Sequence, residues 1–256
     1  EKFCPIFLEY LFCSDYMMKK YLRLVQGTLI ERTALNIEDF LQLKVKIPNL
    51  KEQKKITKKI TLFTKLIKKI KSEITRLNSI EIALLQIFFK KGLDDKNLIS
   101  TTIGKMPRSW KIRKISQILK LSYGKSPKNI KKYDGKFPIY GTGKFIERTD
   151  NFLHDGDSVV LGRKGSIDEV TYATGKFWAI DTTFYSNNHK ETLPKWVYYF
   201  FKNLNLKIYN ESTSIPSLSR DTLYSISLGV PKITEQKKIV SILTLVENVI
   251  KKNELK

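Results

Sequence analysis

A ten-residue phrase occurs twice in the chain, as IPNLKEQKKI at residues 47–56 and as VPKITEQKKI at residues 230–239. The same offset aligns residues 67–69 with residues 250–252, which both read IKK. An internal duplication of this kind predicts two copies of one local structure. The long segment between the copies is then an insert, and it is where the working part of the molecule is expected.

Each copy predicts the same succession of elements. A polar residue, Asn36 or Ser219, is placed to cap a short helix. An extended apolar stretch follows and ends at Pro48 or Pro231, because proline keeps its predecessor extended and favours a new helix start. Two related helices are therefore expected, one after each proline.

The first of these helices has apolar residues at alternating spacings of four and three, which is the seam of a coiled coil. The seam consists of Ile56, Ile60, Phe63, Ile67, Ile70, Ile74 and Leu77. Gly92 is expected to end a helix of about 39 residues and about 58 Å. Because such a rod exceeds one small domain, we interpret the seam as a site of helix pairing. The second helix has matching apolar residues at Ile239, Leu243, Val246 and Ile250.

The insert, residues 102–231, reads as short strands separated by turns rich in Gly and Asp. The predicted strands are Phe137–Tyr140, Ser158–Leu161, Glu169–Tyr172, Phe177–Ile180 and Thr182–Tyr185. A helix is predicted over Lys195–Leu206, with its core-facing residues at Trp196, Tyr199 and Phe200. The predicted fold class is α+β: a mixed α/β domain flanked by long helices that form an antiparallel coiled coil.

The charge of the chain favours a polyanionic partner, most often nucleic acid. The net charge is +22, and residues 105–136 hold nine Lys and two Arg against one acid, Asp134. No apolar run approaches the ~18 residues of a membrane helix. The two cysteines, Cys4 and Cys13, fit no disulfide or metal framework, so a cytoplasmic location is expected.

Several stretches together resemble the DNA-specificity subunits of type I restriction–modification systems. IGKMPRSW resembles the start of a target-recognition domain in that family, PIYGTGKF and SVVLGRKGSIDEV its middle, and STSIPSLSRDTLYSISLGVPKITEQKKI its close. The resemblance implies four parts. They are the tail of a first recognition domain at 1–50, a central conserved helix at 51–92, a second recognition domain at 93–231 and a truncated distal helix at 232–256.

The resemblance also implies a function and partners. The family reads double-stranded DNA through two recognition domains, which a coiled coil holds apart. Methyltransferase (modification) subunits, which bind S-adenosylmethionine and methylate adenine, and a motor–nuclease (restriction) subunit using ATP and Mg²⁺ are the implied partners. No cofactor is expected on this chain. Since most of the first recognition domain is absent, a truncated chain is expected, and a homodimer through the long helix would restore two-fold symmetry.

DNA contacts are expected from two groups of side chains. Phosphates are bound by lysines without sequence reading; these are Lys125, Lys128, Lys131, Lys132 and Lys136. Base reading needs loop side chains that reach the major groove, beside glycines that let the backbone approach the duplex. The candidates are Tyr133, Tyr140, Thr142, Lys144, Arg163 and Lys164. The alternative for each is an ordinary surface turn and, for Tyr133 and Tyr140, a place in the core.

The sequence predicts no catalytic or metal-binding residues. His154 and His189 are the two histidines, and neither has a partner at metal-ligand spacing. Asp134-Gly-Lys136 has the D-x-K form of a nuclease site that binds Mg²⁺, but its place between lysines indicates a loop tip. Two alternatives stay open beside DNA recognition: a coiled-coil assembly module that binds methyltransferase subunits without reading DNA, and a stand-alone nuclease.

Overall fold

The computed structural model describes residues 2–24, 36–93 and 97–254. The chain divides into two compact units, Glu1–Glu73 and Ile74–Lys256. The first unit is helical, and the second combines helices with small sheets. The predicted α+β class is therefore confirmed.

In the described residues of unit 1, three short helices precede the long one. They are α1 (Pro5–Phe12), α2 (Asp15–Leu24) and α3 (Ile37–Leu41). The side chain of Asn36 accepts a hydrogen bond from the Glu38 N–H at 3.0 Å, so the predicted cap of α3 is confirmed.

The long helix α4 (Leu50–Lys91) has 42 residues and contributes to both units. It ends at Gly92, whose φ of 68° is the left-handed conformation that glycine adopts without strain after a helix. The predicted long helix and its glycine stop are thus confirmed. Two residues of its predicted seam, Phe63 and Ile67, are 62% and 53% exposed.

The strands found in the described residues all lie in unit 2. They are β1 (Leu98–Thr101), β2 (Gly104–Pro107), β3 (Lys111–Lys114), β4 (Lys120–Tyr123), β5 (Phe137–Tyr140), β6 (Phe145–Thr149), β7 (His154–Asp155), β8 (Ser158–Gly162), β9 (Val170–Ala173), β10 (Lys176–Ala179), β11 (Thr183–Asn187) and β12 (Ser227–Val230). All five predicted strands are present, with bounds within two residues of the prediction.

Two four-stranded sheets form the centre of unit 2. One has the order β6-β5-β10-β7 and the other the order β4-β11-β8-β9. In the first sheet, β5 and β10 are parallel; the pairs of the second sheet are antiparallel. A separate two-stranded pair joins β12 to β3, next to the start of the second long helix.

Four more α-helices lie in the described part of unit 2: α5 (Ile115–Ile118), α6 (Pro194–Asn203), α7 (Arg220–Ser225) and α8 (Ile233–Glu254). The predicted inward face of α6 is confirmed, since Trp196 and Tyr199 have no exposed surface and Phe200 is 9% exposed. The helix ends before the predicted Leu206 because Leu204 already has an extended backbone, with ψ of 129°. The side chain of Ser219 caps α7 as predicted, accepting from the N–H of Thr222 at 3.1 Å.

The helix α8 packs against α6 around a buried carboxylate. Glu247 pairs with Lys195 at 3.1 Å and accepts hydrogen bonds from the hydroxyls of Tyr198 and Tyr199. The start of α8 meets the end of α4, because Glu235 accepts from the Leu93 N–H at 3.2 Å. Residues near both helix ends belong to one hydrophobic core, among them Leu85 and Phe88 of α4 and Ile239 and Leu243 of α8.

Candidate nucleic-acid interface

One end of the second sheet gathers the turns that were predicted to contact DNA. Tyr123 ends β4, Gly162 ends β8 and Thr183 begins β11, and these ends are adjacent because Phe184 pairs with Tyr123 and Thr183 pairs with Gly162. Antiparallel neighbours place the end of one strand beside the start of the next. The turns that follow β4 and β8 therefore emerge at the same end of the sheet.

Backbone hydrogen bonds and close packing place further segments at this end of the sheet. The Lys125 N–H donates to the Ala179 carbonyl at 2.9 Å, and the Leu218 N–H donates to the Arg163 carbonyl at 2.9 Å. A side chain at Gly162 would meet the methyl group of Thr142 at 2.7 Å, so the turn after β5 lies here as well. We call residues 123–126, 141–144, 162–166, 180–182 and 216–220 the loop cluster.

Five of the eleven sequence-predicted residues lie in the loop cluster. They are Lys125, Thr142, Lys144, Arg163 and Lys164. The three lysines are exposed, whereas Thr142 and Arg163 are half-buried. Within the described parts of the chain, none of the three lysines forms an ion pair. The cluster therefore presents positive charge that the protein does not neutralise.

A second group of predicted residues lies along β6 instead. It contains Lys131, Lys132, Tyr133 and Lys136, and Lys128 precedes it in the same segment. The Lys132 N–H donates to the Arg148 carbonyl at 2.9 Å, and the Arg148 guanidinium binds the carbonyl of Lys136 at 2.8 Å. These bonds fix the segment against the strand. The structure thus separates the predicted residues into two places.

Two lysines of this second group are held by carboxylates. Lys131 lies 3.3 Å from Glu147, and Lys132 lies 2.8 Å from Asp150. The hydrogen bond to Asp150 raises the pKa of Lys132, and the same bond lowers the pKa of the Asp150 carboxyl. Both lysines would have to exchange a protein carboxylate for a DNA phosphate, which makes them weaker candidates than Lys125 or Lys164.

The two tyrosines of the prediction have different surroundings. Tyr133 is 94% exposed at a turn, so it is not a core residue. Tyr140 is half-buried, and its ring lies 5.9 Å from that of the buried Phe177. Tyr140 therefore fits the alternative of a place in the core, whereas the exposed Tyr133 can contact a ligand.

Sequence reasoning missed two residues of the loop cluster, Tyr123 and Arg220. The Arg163 and Arg220 guanidinium carbons lie 5.3 Å and 5.2 Å from the centroid of the Tyr123 ring. Tyr123 precedes Gly124, so the search for side chains flanking glycines should have included it. Arg220 lies 57 positions after Arg163, and no local pattern links the two.

The Asp134-Gly-Lys136 turn has no features of a metal site beyond its sequence. Asp134 is exposed and lies 4.0 Å from the ammonium group of Lys132. Over residues 2–24, 36–93 and 97–254, no group of three His, Cys, Asp or Glu side chains is placed to hold a metal ion. No helix in these ranges has the length and apolar character needed to cross a membrane.

Comparison with protein families gives a match over most of the chain. The model of the type I restriction modification DNA specificity domain matches residues 7–76 and 107–256. The matched ranges contain both copies of the duplicated phrase and the whole loop cluster. The residues between the ranges include the end of α4.

Among individual relatives, the chain is similar to a putative type I restriction enzyme MjaX specificity subunit of Methanocaldococcus jannaschii. The two are 23% identical over 98% of this chain and 63% of the relative. The type I restriction enzyme EcoDI specificity subunit of Escherichia coli is 28% identical over 57% of this chain and 34% of its own length. The chain thus spans less than two thirds of the length of these relatives.

Solved structures share the fold. The S subunit of a type I restriction-modification system from M. genitalium superposes with a TM-score of 0.69 at 17% identity, covering 99% of this chain and 68% of that one. The HsdS subunit from Thermoanaerobacter tengcongensis gives a TM-score of 0.54 at 14% identity, with 99% and 65% covered. At these identities the likeness concerns the fold alone.

Proposed function

Because the chain belongs to the family of type I restriction–modification DNA specificity domains, we propose that it reads a DNA sequence for a type I restriction–modification complex. In that role it directs adenine methylation and restriction by partner subunits and carries out no reaction itself. It acts in the cytoplasm, on double-stranded DNA.

The loop cluster is the observation that supports this proposal most directly. Lys125, Lys144 and Lys164 place unpaired positive charge on turns at one sheet end, and Gly165, where an added Cβ would meet nothing within 4 Å, leaves room for close approach of a duplex. Lysine contacts to phosphates supply affinity, and the side chains between them supply base contacts. In this assignment Thr142 and Lys144 are base-contacting candidates.

The segment along β6 has a supporting role in the proposal. Lys128 and Lys136 bind further phosphates, and Lys131 and Lys132 join them by giving up their carboxylate partners. Tyr133, which is almost fully exposed, contacts the duplex from its turn.

The partners proposed for the chain are methyltransferase subunits and a motor–nuclease subunit. A second copy of the chain is a further proposed partner, because Phe63 and Ile67 of α4 are exposed in the predicted seam. Pairing through this seam would bury apolar surface that a soluble monomer leaves in water. A molar mass that stays monomeric at micromolar concentration would contradict the homodimer and leave DNA reading untouched.

The proposal is tested by selection from a pool of duplexes with a randomised central region at about 0.15 M salt. The purified chain is used alone and together with the methyltransferase subunits, and bound duplexes are sequenced. Enrichment of one short motif is expected, and one half-site or two would report the number of recognition domains in the complex.

Two outcomes would overturn the proposal. Salt-sensitive binding without an enriched motif, even with the methyltransferase subunits present, would favour the assembly module. Metal-dependent cutting that Asp134→Ala abolishes would favour the nuclease.

A further inference from the structure

The ring of Tyr123 brings two arginines together from distant parts of unit 2. Arg163 follows β8 and Arg220 begins α7, and each guanidinium carbon lies just over 5 Å from the ring centroid. An aromatic face attracts a cation at this distance. The Tyr123 ring itself is 46% exposed and packs on the buried Phe184, with the ring centroids 5.0 Å apart. We call Arg163 and Arg220 the guanidinium pair.

The backbone around Arg163 holds its side chain in place. The Arg163 N–H donates to the Thr182 carbonyl and its own carbonyl accepts from the Leu218 N–H, both at 2.9 Å. One guanidinium nitrogen donates to the Asp181 carbonyl at 3.0 Å. The remaining N–H groups of this guanidinium are left for another acceptor, so little side-chain freedom has to be lost when a ligand binds.

Rings also hold the second arginine. The Arg220 guanidinium lies 5.2 Å from the Tyr123 ring and 5.9 Å from the Tyr224 ring. Its Nε is buried, and no acceptor for it is found in the described part of the chain. The two contacts described for this guanidinium are with aromatic faces, which carry no net charge.

The charges of the guanidinium pair are not neutralised by the protein. Neither arginine forms an ion pair with any carboxylate of the described residues. By the two ring distances, the charges lie within about 10 Å of each other, which is about the Debye length at 0.1 M salt. Glu211 accepts hydrogen bonds from the hydroxyls of Ser219 and Thr222 and forms no ion pair with either arginine.

We propose that Arg163 and Arg220, positioned by Tyr123, bind phosphate groups of the DNA backbone and set the register of the loop cluster on the duplex. This assignment rests on the proposed function, since it names the part of the DNA that this end of the sheet binds. It adds Tyr123 and Arg220 to the interface and assigns Arg163 to the backbone rather than to a base.

Charge favours phosphate over a base edge for this pair. Two like charges held on one neutral ring repel each other, and only an anion removes that repulsion. The base edges of the major groove offer neutral acceptors, whereas each phosphate carries a full negative charge and accepts two parallel N–H bonds from one guanidinium. Phosphate contacts fix position and carry no sequence information.

The test compares single variants of the full chain on two duplexes, one with the enriched motif and one unrelated. Arg163→Gln and Arg220→Gln remove one charge each, and Arg113→Gln, at an exposed ion pair with Glu191, is the matched control. Tyr123→Phe keeps the ring and Tyr123→Leu removes it. Dissociation constants are measured between about 0.05 and 0.3 M salt, with thermal melting to confirm that each variant is folded.

The expected result is a uniform loss of affinity. Each arginine variant should bind both duplexes about fivefold more weakly or worse, and the slope of log K against log salt should fall by about 0.9. Arg113→Gln should retain the parental slope. Tyr123→Phe should match the parent, whereas Tyr123→Leu should weaken binding to both duplexes without altering the enriched motif.

Other results would overturn the assignment in distinct ways. A loss confined to the motif duplex, with preference relaxed at one base pair, would make the arginine a base reader. Unchanged affinity and slope in folded Arg163→Gln and Arg220→Gln would place the pair outside the interface. If the parent chain enriches no motif, the proposed function fails, but the slope on the unrelated duplex still tests the guanidinium pair.

Discussion

Gln53 and Gln236 occupy the same place in the two copies of the duplicated phrase and make the same hydrogen bonds. Each side chain accepts from the backbone N–H of the residue before a helix-opening proline, Cys4 and Leu193 respectively, both at 2.8 Å. Each also donates to the carbonyl of the proline five residues before it, at 2.8 Å and 2.9 Å. The duplication therefore includes a tertiary contact, and it relates α1 to α6, which share Pro, Tyr and Phe at corresponding positions.

Loss of this glutamine should destabilise the unit that contains it. Gln236→Ala leaves the Leu193 N–H without its acceptor inside the protein, at a cost of about 2 kcal/mol in the free energy of unfolding. Gln53→Ala should cost a similar amount in unit 1. Urea unfolding measures both, and Lys237→Ala, at the exposed neighbouring position, should change stability by less than about 0.5 kcal/mol. Equal effects of Gln236→Ala and Lys237→Ala would refute the role of the side chain.

Glu247 should be the most costly single charge to remove in α8. Burial alone would raise its pKa, but the charge and hydrogen bond of Lys195 outweigh burial, so the pKa of the carboxyl is lowered. Glu247→Gln leaves a largely buried ammonium group unpaired and should cost about 2–3 kcal/mol. Lys251→Gln removes an exposed partner of the same carboxylate and should cost no more than about 0.5 kcal/mol. Chemical denaturation measures both losses of stability. A loss for Lys251→Gln as large as that for Glu247→Gln would contradict the prediction.

Because His189 is buried, the free energy of unfolding should fall in mild acid. Burial lowers its pKa to about 4, whereas the unfolded value is about 6.5. Because the folded-state pKa lies below the unfolded one, the unfolded chain binds more protons between these values, and stability falls as the pH drops through that window. The expected loss between pH 7 and pH 5 is about 2 kcal/mol.

His189→Gln isolates this effect, because glutamine does not titrate. The variant should unfold with a flatter dependence on pH between 7 and 5, whatever its stability at pH 7. The pKa of His154 is also lowered by burial, so a smaller slope of the same sign should remain. A slope equal to that of the parent would show that His189 is not the titrating group.

Gly124 should be needed for the shape of the loop cluster. A Cβ at this position would overlap the carbonyl oxygen of Ile180, which is backbone and cannot rotate away. Gly124→Ala should therefore cost about 1–3 kcal/mol in stability and displace the turn that carries Lys125. Ser126→Ala, two residues along the same turn and exposed, is the matched control. DNA affinity that is unchanged in Gly124→Ala would place this turn outside the interface.

Local patterns were sufficient for several elements of this fold, including five of its strands, but they did not indicate others such as β4 and β6. The caps at Asn36 and Ser219, the stop at Gly92 and the inward face of α6 follow from rules that span a few residues, and the structure confirms them. The strand order did not follow, because β5 pairs with β10 although the partners Ile139 and Trp178 are 39 positions apart, and no local signal selects that pairing.

The loop cluster was predicted only in part for the same reason. Glycine-flanked turns pointed to Lys144 and Arg163, but Arg220 comes from a separate segment that reaches the cluster through backbone contacts near Leu218. The heptad seam likewise indicated an apolar face on α8, while the polar contact of Glu247 with Lys195 on α6 depends on how the helices are placed. Convergence of distant segments is a property of the tertiary fold.

The most direct test of the account is the ratio of dissociation constants for two duplexes of equal length and composition, one with the enriched motif and one with it shuffled. Fluorescence anisotropy of the full chain with its methyltransferase subunits, at about 0.15 M salt, gives both constants. The account predicts at least about 100-fold tighter binding to the motif duplex. Equal constants would contradict it, since charge alone would then explain all of the binding.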